Sequence, residues 1–537
     1  MKLGLFYRFS VVALIAALFV GGCGPKSGAN VDSSSAKSDT FRYSIVTNPT
    51  SYDPGKIEDG DTIDLAQQAF EGLVRWGEDN SVKGNLAEKW DIKDGGTTYV
   101  FHLLKGVKFQ NGREMTADDF KWCIERVCEP SFASPTAETY LNNIVGVTER
   151  IKGKAKDISG LTVIDPYTLQ MKIDKPRPYF LGKLTYPTAW VYAKEAIKDP
   201  TKEMNDVAEL VGTGPFKFSK IIPSQLIVLD ANAKYHGGAP KIAHIERPIV
   251  LDPATRLNLY KSGQIDLVQL ERQDVLALTN DPKFKDQIKY FDRPAMWYIG
   301  LNNNIYPPFK DRRVRQAVAM AIDVDDIVNN ILGGMNKKAD GIVPPGVFGH
   351  QDNPNSLKFD VVKAKQLLSE AGFPDGKGLP NFELTYREAR PDIQIVATKV
   401  ASDLQKNLGM NVTLRTMEWR AYLDKHTAKK MPFFHMRWAA DYLDAENFLS
   451  TLLATYGPEN KVFYSNPQYD ALCQKADTSL DSAERIKLYA QAENIALQDA
   501  PFVPIYFQRD AELINPRVKG LRESAFGHLP HTTVSLQ

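Results

Sequence analysis

From Phe41 to Gln537 the chain keeps a globular composition, with no Pro-, Gly- or Ser-rich linker, no repeat of solenoid length and no apolar stretch near the roughly 20 residues of a membrane helix. Roughly 500 residues exceed what one hydrophobic core serves, so two or three lobes are expected. Because no punctuation separates them in sequence, the lobes are expected to exchange chain segments. Hydrophobic residues make up 43% of the sequence, enough to fill several cores.

Local patterning mixes strand and helix. Thr98 to Leu103 alternates at period two, the Gln110-Asn111-Gly112-Arg113 stretch reads as a turn, and Thr116-Ala117-Asp118-Asp119 supplies a capping hydroxyl followed by early acids. The spacing from Asp360 to Ala371 predicts a helix with Val361, Val362, Ala364, Leu367 and Leu368 on one face, stopped by Gly372-Phe373-Pro374-Asp375-Gly376. Asp311 to Ile327 follows the same logic. The fold class expected is α/β.

The N-terminus carries an address. Lys2 and Arg8 precede an apolar run, Val11 to Val20, that is too short to span a bilayer, and Val20-Gly21-Gly22-Cys23 closes it. This resembles a bacterial lipoprotein leader: residues 1–22 would be a signal peptide and Cys23 would be lipidated with diacylglyceryl and a further acyl chain such as palmitate. Each buried CH₂ would add about 0.8 kcal/mol. An ordinary secretory signal ahead of a chance cysteine is the alternative, and both export the chain. Gly24 to Thr40 has almost no large apolar residue and is expected to be a flexible tether. The protein would then sit lipid-anchored in the cell envelope, in a periplasm or on the outer face of the cytoplasmic membrane.

Charge and chemistry exclude several classes. The formal net charge of +1 becomes −1 once Lys2 and Arg8 leave with the leader, so no basic face for nucleic acid is expected. Cys123 and Cys128 stand five apart in a helical-looking stretch and face different ways, so they read as free core cysteines, and four cysteines are too few for a disulfide scaffold. There is no G-x-S-x-G, H-E-x-x-H, G-x-x-x-x-G-K-[ST] or C-x-x-C. Pro215 spoils Gly212-Thr213-Gly214-Pro215 as a phosphate loop by removing an amide donor, and the stretch reads as a structural turn. The eight histidines form no i, i+4 pair, so neither a metal site nor any cofactor is expected from them.

Ordered motifs across nearly the whole chain carry a family resemblance. Leu86-Ala87-Glu88-Lys89-Trp90, Thr97 to Leu103, Lys105-Gly106-Val107-Lys108-Phe109 and Thr116 to Phe120 are followed by Gly212 to Phe216, Asp311 to Ala317, Ala321-Ile322-Asp323, Pro344-Pro345, Ala371 to Pro374 and Trp438 to Tyr442. The set resembles the family 5 extracellular solute-binding proteins, the peptide receptors of ABC importers. Ser51-Tyr52-Asp53-Pro54 and Phe70-Glu71-Gly72-Leu73 bring it nearest to the oligopeptide receptors. The resemblance implies a periplasmic-binding-protein-like fold (type II, cluster C) with two ligand-enclosing lobes and an extra domain. Domain I would comprise 41–73, 188–290 and 501–537, domain II 74–187 and domain III 291–500, with I and III closing on the ligand by a hinge.

A receptor indifferent to peptide sequence must grip the ammonium, the carboxylate and the backbone, leaving side chains in wet pockets. By resemblance Asp441 would meet the amine, and the segment from Phe433 to Asp441, with His435, Arg437 and Ala439, would offer a strand edge to the ligand backbone. Trp419 and Trp438 match residues that line side-chain pockets, although a core placement suits either. Glu58 to Gly60 match a loop that adds backbone bonds. His435 and His426 stand where the oligopeptide receptors place arginines for the ligand carboxylate, with Arg437 as another source of charge, and Thr136 replaces a tyrosine that lies along the peptide, with Tyr140 nearby.

The reading is therefore a lipid-anchored, monomeric receptor that hands short peptides to ABC permease subunits and performs no chemistry. An oligosaccharide stacked on Trp419 and Trp438, or a nickel chelate or haem held by His435 and His426, is the alternative within the family. An exported lipoprotein hydrolase is the alternative outside it.

Overall fold

The computed structural model describes residues 39–388 and 390–537. The leader, Cys23 and nearly all of the expected tether lie outside the described residues. Asp39 and Thr40 do not belong to that tether: Asp39 O accepts from Ala243 N, and Thr40–Arg42 forms a strand parallel to His244–Pro248. No helix among the described residues is long and apolar enough to cross a membrane.

Three main sheets organise the chain. The first joins Thr40–Arg42, His244–Pro248, Leu226–Ala231 and Phe216–Ile222 in that order, from segments some 180 residues apart in sequence. The second, Ala87–Lys93, Thr98–Leu103, Thr168–Lys172 and Leu161–Asp165, is continuous in sequence and antiparallel. The third has seven strands: Leu267–Gln269, Phe502–Ile514, Ile288–Leu301, Phe433–Ala439, Phe382–Arg387 and Val412–Met417 in order, with Lys337–Lys338 added to Phe502–Ile514. Its two long antiparallel strands, Ile288–Leu301 and Phe502–Ile514, lose register between Asp292 and Met296, at Pro294. Exchange of segments is thus present, but the lobes are less separate than expected. The first two sheets share one apolar core that holds Phe41, Phe101, Phe120 and Phe216 together, while the third packs distinct cores on its two faces.

The motif residues have structural reasons. Thr116 starts the helix Ala117–Val127, and Asp119, buried, accepts from Thr116 N at 2.9 Å and from both Arg113 terminal nitrogens at 2.8 and 2.9 Å. Cys123, Cys128 and Cys473 are free and buried. Gly212 and Gly214 press on the backbone of Gln68 and Ala69, where a β-carbon would collide with the Ala69 carbonyl. Two expectations fail in detail. Val362 is 81% exposed because the helix Val361–Glu370 turns Ala364 and Leu368, not Val362, to the core. The helix expected through Ile327 ends at Ala321, where Ile322 turns extended and Asp323 caps a new turn.

Candidate ligand site

Between the first and third sheets, a cavity of about 570 Å³ is lined by Tyr43–Val46, Glu58–Asp61, Ile63, Asp64, Arg522 and Ser524–Pro530, by Arg387, Trp419 and His435–Asp441, and by Tyr140 and Tyr186. One wall is the strand Phe433–Ala439. It pairs with Ile288–Leu301 along its whole length but meets Phe382–Arg387 only at Phe433 and Phe434, so its far half has one open edge. Ala440 N donates to Pro294 O, while Tyr422 Oη donates to His435 O from the opposite side. Strand alternation therefore directs the N–H and C=O of Arg437 and Ala439 away from Ile288–Leu301, towards the open edge.

Asp441 lies at the end of that strand. Its Oδ2 accepts from Tyr140 Oη at 2.6 Å and its backbone N donates to Asn447 Oδ1 at 3.1 Å. Burial pushes its carboxyl up from 3.8 to about 7, with the Tyr140 bond pulling the other way. Tyr140 stacks on Tyr186 with ring centroids 3.6 Å apart. Thr136 instead faces Thr188 at 2.6 Å, buried and away from the cavity, so Tyr140 is the tyrosine that reaches it.

Both tryptophans line the cavity and pack against the core behind it, so the two sequence readings are compatible. Trp438 Nε1 donates to Asn447 Oδ1 at 3.1 Å, and Trp419 starts the helix Trp419–Thr427 with the Arg387 guanidinium 4.5 Å over its ring. Glu58 lines the facing wall, where burial lifts its carboxyl from 4.5 to about 7 against the pull of Arg420. Gly60 opens the helix Gly60–Ala66, which Asp59 caps by accepting from Thr62 N at 3.0 Å, and it faces the Arg437 side chain.

The histidines depart from expectation. Burial pulls His435 and His426 down to about 3, so both are neutral near pH 7 and neither supplies a cation for a carboxylate. His435 lines the cavity near the Ile393 backbone, with neither ring nitrogen in full hydrogen-bond geometry among the described residues; His426 does not line it and packs edge-on to Phe434. No group of three potential metal ligands occurs among the described residues. Sequence reading missed Arg387, Arg390 and Tyr186. The arginines had a signal: Arg387 ends a strand and Arg390 precedes a helix, at the carboxyl end of a parallel strand pair, where open α/β sheets hold ligands.

Comparison with known proteins identifies the family. Residues 81–460 match the family described as bacterial extracellular solute-binding proteins, family 5 Middle. The chain is 32% identical to the probable deoxycholate-binding periplasmic protein YgiS of Escherichia coli, over 90% of this chain and 91% of that one. It is 31% identical to the periplasmic oligopeptide-binding protein OppA of Salmonella typhimurium, over 88% and 87%. The structure of the E. coli murein tripeptide binding protein MppA superposes with a TM-score of 0.86 at 27% identity, covering 94% of this chain and 99% of that one. Against the unliganded open form of the same protein the score is 0.67, so the present arrangement of lobes is not that open one. The chain belongs to the family 5 bacterial extracellular solute-binding proteins.

Proposed function

We propose that the protein is the extracytoplasmic receptor of an ABC importer for short peptides, which it encloses between lobes and delivers to a membrane permease. The observation that carries this is the conjunction of a half-buried carboxylate, Asp441, with an open strand edge at Arg437 and Ala439. An ammonium at Asp441 would make a charge-assisted bond of about 1.5–3 kcal/mol. The backbone edge binds any sequence through N–H and C=O, and Trp419 and Trp438 give broad, stiff surfaces for varied side chains. Glu58 and Gly60 stand across the cavity to close on the ligand. Lobes I, II and III, with the boundaries expected above, would close about the two long strands where Pro294 breaks their register.

In this reading Cys23 carries the lipid anchor, and the tether keeps the receptor at high effective concentration beside its permease. The protein acts as a monomer and performs no catalysis. The test compares a free tripeptide with its N-acetylated form by calorimetry. The free form should bind at least tenfold tighter; equal affinities would remove Asp441 from the amine role.

A second reading has one specific support. The arginines on the cavity wall and its aromatic lining also suit an amphipathic carboxylate, as the name of the deoxycholate-binding relative suggests. Mass spectrometry of cargo released from natively purified protein separates the two, since mixed short peptides support the first reading and one non-peptide acid supports the second.

A further inference from the structure

Asn447 is fully buried and does not itself line the cavity, yet it is bonded to two residues that do. Its Oδ1 accepts from the Asp441 backbone N and from Trp438 Nε1, each at 3.1 Å. Both partners can only donate, so they fix which end of the amide is oxygen, and the Nδ2 end must serve something else. Nδ2 lies against the Asp441 carboxyl and the Tyr442 hydroxyl, without full hydrogen-bond geometry to either among the described residues.

The amide is held by a firm frame. Asn447 ends the 3₁₀ turn Ala445–Asn447, with its backbone N donating to Asp444 O at 3.0 Å. Asp444 caps that turn by accepting from Glu446 N at 3.0 Å, and its two oxygens take Arg485 Nη2 at 2.7 and 2.8 Å in a buried ion pair. Ala445 N adds a bond to Phe348 O at 2.9 Å. A buried donor aimed by such a frame and left short of a full bond is costly unless an acceptor strengthens there in the working protein. Asp441 is that acceptor. A carboxylate only accepts and has about four lone-pair sites, of which Tyr140 Oη takes one on Oδ2. An ammonium beside Asp441 favours the ionised form, and the ionised form is the better partner for Nδ2.

We infer that Asn447 is a positioning residue of the amine site: Oδ1 fixes the backbone at Asp441 and the indole of Trp438, and Nδ2 donates to the Asp441 carboxylate when the ligand ammonium pairs with it. The ammonium rests on the function proposed above; the hold of Asn447 on Asp441 rests on the geometry alone.

The test compares Ala-Ala-Ala with N-acetyl-Ala-Ala-Ala by calorimetry on the full chain, as wild type, as Asn447→Leu, which keeps the volume and removes both ends of the amide, and as Asn447→Ser, a smaller polar replacement should the leucine not fold. In wild type the free peptide should bind at least tenfold tighter. In the variants that ratio should fall several-fold, and the pH below which free-peptide binding weakens should rise by about one unit, because the charged form of Asp441 loses a donor. A role confined to packing would weaken both peptides by the same factor, leave the ratio and the pH profile unmoved, and overturn the inference. Carboxyl ¹³C NMR of the ligand-free protein, with the Asp441 signal assigned by Asp441→Asn, keeps the two claims apart. If neither peptide binds wild type but that signal titrates about one unit higher in the variants, the peptide function falls and the positioning role stands. If the titration is unmoved as well, both fall.

Discussion

The hydroxyl of Tyr140 donates to Asp441 Oδ2 across 2.6 Å, joining the helix Ala137–Leu141 to the end of the strand Phe433–Ala439. The bond supports the carboxylate form of Asp441 where burial opposes it. Tyr140→Phe removes the donor and leaves the stack on Tyr186 intact. A bond to a charged group is worth about 1.5–3 kcal/mol, so the Asp441 carboxyl should rise further, by one unit or more, and tripeptide affinity at pH 7 should fall about tenfold. Calorimetry of the variant checks both, and an unchanged affinity would detach Tyr140 from the amine site.

The raised carboxyls set a pH dependence. Asp441 and Glu58 ionise near 7 in the folded protein, against ordinary values of 3.8 and 4.5. Groups lifted in this way contribute stability that is complete below their ordinary values and lost as pH rises through 7, so the ligand-free protein should melt lower at pH 8 than at pH 5. Binding an ammonium requires the ionised form of Asp441. At pH 6 a tripeptide should therefore bind with release of up to one proton and with affinity that falls as pH drops. At pH 8.5 release should vanish and the peptide amine, ordinarily about 7.7–8.0, should instead take one up. Calorimetry in buffers of different ionisation enthalpy reads the proton count; an N-acetylated peptide with the same count would assign it elsewhere.

Gly60 separates stability from binding. It is the first residue of the helix Gly60–Ala66 and its φ is not in the left-handed region; a β-carbon there would meet only Arg437 Nη2, at an ordinary 3.8 Å. Gly60→Ala should therefore stabilise the free protein by about 0.4–1 kcal/mol through the unfolded chain. If the 58–60 loop lies against the ligand, the same methyl should weaken peptide binding several-fold. Denaturation and calorimetry on one preparation give both numbers, and a fall in stability would contradict the helical placement.

How much of this was legible depended on range in sequence. The cavity wall from His435 to Asp441 is one contiguous motif, and the strand Thr98–Leu103 and the caps at Thr116 and Asp360 announce themselves locally. All eight binding candidates consequently line one cavity. The charge state of His435 was not legible, because it is set first by burial that no spacing reports and then by Arg387, more than 40 residues away in sequence. Arg387 and Arg390 escaped notice because only the pairing of Phe382–Arg387 with Phe433 and Phe434 turns a surface-like R-x-x-R into a cavity wall.

The Ser51-Tyr52-Asp53-Pro54 motif earns its place through a buried ion pair. Asp53 is fully buried and accepts from Arg126 Nη1 at 3.2 Å and Nη2 at 2.7 Å, from Gly55 N at 3.0 Å and from Met204 N at 3.1 Å. Arg126 also donates to Tyr192 Oη and to the carbonyls of Pro200 and Lys202. The network fixes the turn Pro54–Lys56 that leads into Glu58 and Gly60. Asp53→Asn leaves a buried guanidinium without its counter-charge and should cost about 3–5 kcal/mol in urea denaturation. Replacing Arg126 by Met in the same chain removes the stranded charge and should recover a large part of that loss. Peptide affinity should not recover with it, because the loop that presents Glu58 stays untethered; full recovery of binding in the double variant would show that Asp53 serves stability alone.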